Sequence, residues 1–209
     1  MMRRKGLFIT FEGPEGCGKS TQIKGASRHL RRRGVPVLVL REPGGTRVGE
    51  AIRKIILDGS LREMTPQTEL LLYLAARSQV VREKILPALR SGNVVICDRF
   101  EDSTLAYQGA GRGLGRQDIR RMSRFARGSL EPDLTILLDL DPKKGIRRKA
   151  RRDRMERESL RFHQKVRRGF LALAKRNPKR FVIISGTLSE SQVAHRIKGA
   201  LAHVLSRTY

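Results

Sequence analysis

The chain has 209 residues, 39% of them hydrophobic, enough for one well-buried domain over 1–209 with no linker between two. No run of about 18 apolar residues occurs, and the opening MMRRKG leads straight into a strand-like segment, so neither a membrane span nor a signal peptide is expected. The formal charge of +25, carried by 33 Arg and 12 Lys, attracts polyanions in general, but it is spread from Arg3 to Arg207 and fits a compositional habit better than a nucleic-acid footprint, a partner left open but not expected. Apolar runs bounded by Gly, Pro or Asp predict five strands in chain order: Leu7 to Phe11, Val35 to Leu40, Val94 to Cys97, Leu134 to Leu140 and Phe181 to Ser185. Between them, helical spacing recurs at Ile23, Ala26 and Leu30, then at Val48, Ala51, Ile52, Ile55 and Ile56. Thr65 and Pro66 open a long helix that runs on toward Gly92, and Ser189 with Gln192 forms a capping box ahead of Val193, Ile197, Leu201 and Val204. Near-continuous apolar strands alternating with helices predict an α/β fold with a doubly wound parallel sheet covered on both faces. DRFEDSTLAYQGAGRG, residues 98 to 113, is too polar and glycine-rich for a core element and reads as a functional loop. Cys17 and Cys97 make no metal pattern and no disulfide framework, which points to a reduced, cytoplasmic setting.

GPEGCGKST comprises Gly13, Pro14, Glu15, Gly16, Cys17, Gly18, Lys19, Ser20 and Thr21, and matches G-x-x-x-x-G-K-[ST] between a strand and an amphipathic helix. Glycines let the backbone wrap phosphate oxygens with its N–H groups aimed inward, and the helix N-terminus adds its positive dipole end. Lys19 can then reach the β- and γ-phosphates of ATP, and the Ser20 hydroxyl can ligate Mg2+. No N-K-x-D guanine-reading motif is present, and the chain is short for a motor or translocase. A small phosphotransferase needs only this loop, an acceptor pocket and a mobile basic lid. Cys17, near Lys19 in a loop of N–H donors, is expected to be a reactive thiol that ATP shields.

FEGPEGCGKST, REPGGT (Arg41 to Thr46), LLLYLAARSQ (Leu70 to Gln79), DRFEDSTLAYQGAGRG and DRMERES (Asp153 to Ser159) together resemble the thymidylate kinases, in the same order and at similar spacings, over about Leu7 to Leu173. The resemblance implies transfer of the ATP γ-phosphate to dTMP on a core of five parallel strands, commonly in a homodimer. It implies that Arg99 and Arg53 hold the dTMP phosphate, and that Tyr73 stacks on thymine. Arg77, Thr104 and Gln108 address the base, while Tyr107 crowds the 2′ position of the sugar. Glu15 and Glu42 address the deoxyribose hydroxyl, a metal-bound water, or both. Asp98 ends a strand beside the phosphates and suits a magnesium ligand; Asp139, at the end of TILLD, competes for that role, and the resemblance favours Asp98. Because the phosphate loop carries no arginine at its variable positions, the catalytic arginine should come from a lid over about 147–157, with Arg151, Arg152 and Arg154 as candidates and the first two favoured. Two other readings stand: another nucleoside monophosphate kinase, or a basic nucleic-acid-binding P-loop ATPase.

Overall fold

The structure is a computed structural model that describes residues 6–148 and 153–206. Five strands, β1 (Leu7–Glu12), β2 (Val37–Arg41), β3 (Val94–Asp98), β4 (Leu134–Asp139) and β5 (Phe181–Ser185), form one all-parallel sheet in the order β2-β3-β1-β4-β5. Side chains alternate across it: Leu7, Ile9 and Phe11 join a core with Ile23 and Leu30 of α1 (Lys19–Arg32) and Val193, Ile197 and Leu201 of α9 (Glu190–Ser206). Phe8 and Val95 turn to the other face, where Val80, Val81 and Ile85 cover them. The capping box holds α9 in place: Ser189 N–H donates to Gln192 Oε1 at 3.0 Å, and Gln192 N–H to Ser189 Oγ at 3.2 Å.

Two stretches differ from the sequence expectation. The segment opened by Thr65 is not one regular helix but α3 (Pro66–Val80), a π-type widened stretch Val81–Ile85, and α4 (Leu86–Arg90). Pro87 explains the widening, since it has no N–H to give and its ring crowds the carbonyl one turn back.

Residues 98 to 113 are not a loop: after Arg99 and Phe100 comes α5 (Glu101–Thr104), continued by a π-type stretch Leu105–Gly111. The glycines there serve packing. A Cβ on Gly111 would stand 2.6 Å from the Phe162 ring, and one on Gly169 would stand 2.8 Å from Ala110 Cβ, so small residues let this stretch lie tightly on α8 (Leu160–Arg176). Its buried Leu105, Ala106 and Tyr107 share a core with Phe162, Val166 and Phe170. The remaining helices are α2 (Arg47–Leu57), α6 (Arg116–Arg127) and α7 (Pro142–Ile146). No described helix is long and apolar enough to cross a membrane.

Candidate active site

The carboxyl ends of β1, β2 and β3 lie side by side, and the loops leaving them surround a cavity of about 480 Å³. That is the size range and position expected for a ligand site in an open parallel sheet. On the β1 side it is lined by Glu15, Gly16, Cys17, Gly18, Lys19, Ser20 and Thr21. Gly13 and Pro14 do not line it: both are buried, and their carbonyls accept from Lys19 Nζ, each at 3.3 Å. Gly16 has φ +68°, and a Cβ there would meet Gly145 O at 2.2 Å, so the phosphate loop rests directly on the α7 backbone. Cys17, expected to be a reactive thiol, is largely buried. It is 5% exposed, packed in the core of β1 and α1 with the cavity on one side, and Lys19 Nζ donates to its Sγ at 3.7 Å.

From the far side come Glu42, Arg53, Tyr73, Arg77, Asp98, Arg99, Thr104, Tyr107 and Gln108, all lining the same cavity. The structure separates the two acids that the sequence left undivided. Glu15 Oε1 accepts from Arg99 Nη2 at 2.5 Å and from the Tyr107 hydroxyl at 2.9 Å, so it fixes the guanidinium against the aromatic ring, which lies 5.0 Å from it. Glu42 is paired instead with Arg77, whose Nε donates to Glu42 Oε2 at 2.8 Å, both side chains being buried. Burial pushes the Glu42 carboxyl up and the Arg77 charge pulls it back, the net direction being upward. Arg53 is half-buried rather than a solvated helix residue, its Nη1 donating to Pro43 O at 2.9 Å.

Buried polar atoms normally find partners, so several unpartnered ones gathered around one cavity point to a ligand there. Among the described residues, Glu42 Oε1, Arg77 Nη1, Asp98 Oδ1 and Thr104 Oγ1 are buried without a hydrogen-bond partner and belong to residues that line the cavity; Arg116 Nε, Ser123 Oγ, Arg154 Nη2 and His163 Nε2 likewise lack a hydrogen-bond partner but lie on residues outside it. Asp139 is engaged elsewhere, accepting both arms of Arg167 at 2.7 and 2.8 Å. A hard cation bound through oxygen therefore fits the exposed Ser20 hydroxyl and Asp98 Oδ1, while no group of three or more His, Cys, Asp or Glu suited to a metal occurs among the described residues.

The lid candidates divide. Arg151 and Arg152 lie outside the described residues. Arg154 is engaged with its neighbours: its Nε donates to Ile56 O at 2.8 Å, and its Nη2 forms an ion pair with Glu69 Oε2 at 2.7 Å. Glu69 also accepts from Gln108 Nε2 at 2.9 Å and from Arg112, whose Nη1 reaches Glu158 at 2.6 Å. Arg112, unassigned by sequence, thus shares Glu69 with Gln108 and links that carboxylate to Glu158.

Further lining residues escaped the sequence reading: Phe100, Ser103, Arg148, Asp153, Met155 and Glu156. Ser103, Asp153 and Glu156 sit inside DRFEDST and DRMERES, so the signal was their place within motifs already singled out.

Comparison with known proteins agrees with this geometry. A family model described as Thymidylate kinase matches residues 11–197. The chain is 51% identical to the thymidylate kinase of Geobacter sulfurreducens, over 97% of this chain and 99% of that protein. It is 49% identical to that of Deinococcus radiodurans, over 95% and 97%. A crystal structure of thymidylate kinase from Ehrlichia chaffeensis superposes with a TM-score of 0.79 at 32% identity, covering 94% of this chain and 99% of that one. With the family model spanning most of the sequence and half of the residues shared with proteins of equal length, this chain belongs to the thymidylate kinase family of phosphotransferases.

Proposed function

We propose that this protein transfers the γ-phosphate of ATP to dTMP, giving dTDP. The observation that carries the reading is the set of unpartnered buried atoms on Glu42, Arg77, Asp98 and Thr104 converging on one cavity opposite the phosphate loop. Lys19 and the loop N–H groups hold the donor phosphates. Arg99, braced by Glu15, and Arg53 hold the acceptor phosphate, since planar guanidinium forks bind phosphate oxygens in pairs. Bringing two phosphates together is the main electrostatic difficulty, and these cations reduce it before the reaction begins. Tyr73 stacks on the pyrimidine, Arg77 Nη1, Thr104 Oγ1 and Gln108 meet its edge, and Tyr107 walls the sugar. When bound, Mg2+ neutralises the phosphate oxygens, with Ser20 and Asp98 as the residues that hold it. The lid arginine that covers the bridging oxygen is drawn from Arg151 and Arg152.

The decisive test is a panel of dTMP, dUMP, UMP, AMP and dGMP with coupled ADP detection. A clear preference for dTMP is expected; a preference for AMP or UMP would move the chain to another base class. Asp98→Asn should lower kcat by about a hundredfold with the melting temperature unchanged, whereas Asp139→Asn, which only loosens Arg167, should leave kcat within about threefold. Near-normal turnover of Asp98→Asn would remove it from the site.

The exposed apolar side chains Val48 and Ile55 of α2, Leu71 of α3 and Phe125 of α6 support a homodimer built on those helices. Two free, buried cysteines support a reducing, cytoplasmic setting. The cavity opposite the phosphate loop, into whose lining Glu42, Arg77, Asp98 and Thr104 each bring an unpartnered buried atom, favours a small nucleotide substrate over a nucleic acid.

A further inference from the structure

Glu12, the last residue of β1, is fully buried, although neither the phosphate loop nor the acceptor pocket calls for a carboxylate there. Its Oε1 accepts the Phe100 N–H at 2.8 Å, and its Oε2 accepts the Ser103 hydroxyl at 2.6 Å. Ser103 Oγ in turn accepts from Arg99 Nη1 at 3.1 Å, and the same Nη1 donates to Gly13 O at 3.0 Å. Between these contacts the Arg99 backbone is in the left-handed region, φ 72°, the one such residue other than glycine among those described. A side chain pays conformational strain there and keeps the geometry only where its surroundings hold it. The end of β1 supplies the hold on both sides: Phe11 O accepts the Arg99 N–H at 3.0 Å, and Glu12 takes the next amide along.

We propose that Glu12 is a positioning residue for the acceptor phosphate, its carboxylate fixing the Arg99 backbone through the Phe100 amide and the Arg99 guanidinium through Ser103. The proposal rests on the assignment of Arg99 to that phosphate. Both carboxylate oxygens act as acceptors, and protonation would turn one of them into a donor in a setting that offers it the Phe100 N–H and the Ser103 hydroxyl. Burial, and then the neighbouring Asp102, push Glu12 up to about 8, while Ser103, Arg99 and the Phe100 amide draw it down. Arg77 from α3 and Arg180 from the turn before β5 also face it, the latter already bound to Asp102, and Cys97 of β3 lies close. Acceptor affinity should therefore weaken as pH falls through that value.

The test compares Glu12→Gln, Ser103→Ala, Arg99→Ala and the Arg99→Ala/Glu12→Gln double variant, reading KM and Kd for dTMP, KM for ATP, kcat and melting temperature. Above pH 8, where Glu12 is ionised, Glu12→Gln and Ser103→Ala should each raise dTMP KM about tenfold, with ATP KM within about twofold of the parent. Arg99→Ala should weaken dTMP binding by about a hundredfold, and Glu12→Gln added to it should weaken binding no further. The bend in dTMP KM near pH 8 should disappear in Glu12→Gln. If Arg99→Ala binds dTMP normally, the assignment of Arg99 is wrong. If Arg99→Ala loses binding while Ser103→Ala and Glu12→Gln do not, or if the double variant is fully additive, Glu12 does not act through Arg99. Should Glu12→Gln fail to fold, Ser103→Ala decides the matter by the same criterion.

Discussion

Replacing Lys19 by Ala is expected to lower kcat by about a thousandfold while changing KM for dTMP by less than about threefold. Lys19 is 8% exposed at the first position of α1, and its Nζ is held by the carbonyls of Gly13 and Pro14 at 3.3 Å, with Cys17 Sγ at 3.7 Å. Those carbonyls keep the ammonium at the mouth of the loop without neutralising it, so the charge is already in place when donor phosphates arrive. An ammonium fixed in this way needs no reorganisation as charge develops on the transferred group, and such donors act mainly on turnover. The acceptor phosphate is assigned to Arg99 and Arg53, which explains why dTMP KM should be nearly indifferent. The check is steady-state kinetics at saturating ATP beside thermal melting; a loss under tenfold in a variant that melts normally would contradict the role. Lys19→Arg should rescue little, because a planar fork does not reproduce a point donor to two carbonyls.

Replacing Glu69 by Gln should destabilise the fold by about 3–5 kcal/mol, since it leaves partly buried arginines without their counter-charge. Glu69 is 1% exposed and takes Arg112 at 2.9 Å and Arg154 at 2.7 Å, which are only 17% and 11% exposed. For a chain of this size the melting temperature should fall by roughly 10 °C. Burial raises the Glu69 carboxyl, but the bonds from Arg112 and Gln108 and the arginine charge outweigh it, holding the group below its ordinary 4.5 in the folded protein. A depressed acid contributes stability that is present above its unfolded value and is lost as pH falls through the lower folded value. The gap between parent and variant should thus be widest near neutrality and close on strong acidification. A drop under about 2 °C at pH 7 would show that the cluster is not a stabilising unit. Leu57 O and Ile56 O also accept from the Arg154 backbone and side chain, so loosening the cluster should free the segment around Arg154 from α2.

The parts of this protein that were readable in sequence are those with local patterns. Apolar runs placed the five strands to within two residues, and the phosphate loop was announced by Gly18, Lys19 and Ser20 in order. The reciprocal cap of Ser189 and Gln192 is likewise a three-residue affair. What was hidden depends on partners far apart in the chain. Nothing in REPGGT says that Glu42 will pair with Arg77, and nothing beside Glu12 says that its acceptors are filled by residues 100 and 103. The glycines of residues 109 to 113 were read as loop formers because a helix buried against Phe162 cannot be told from a turn until α8 is in view. Arg112 was opaque for the same reason, since Glu69 and Glu158 lie 43 and 46 positions away.

The sheet order has a practical consequence for handling the molecule. All chemistry gathers where the strands end, so the turns that lead into them are spared: Gly34 before β2, Ser91 before β3, Gly128 and Ser129 before β4, and Pro178 and Lys179 before β5 are all exposed. These turns are natural junctions for affinity handles or fluorescent inserts, which would leave the cavity-lining loops at the opposite ends of the strands undisturbed.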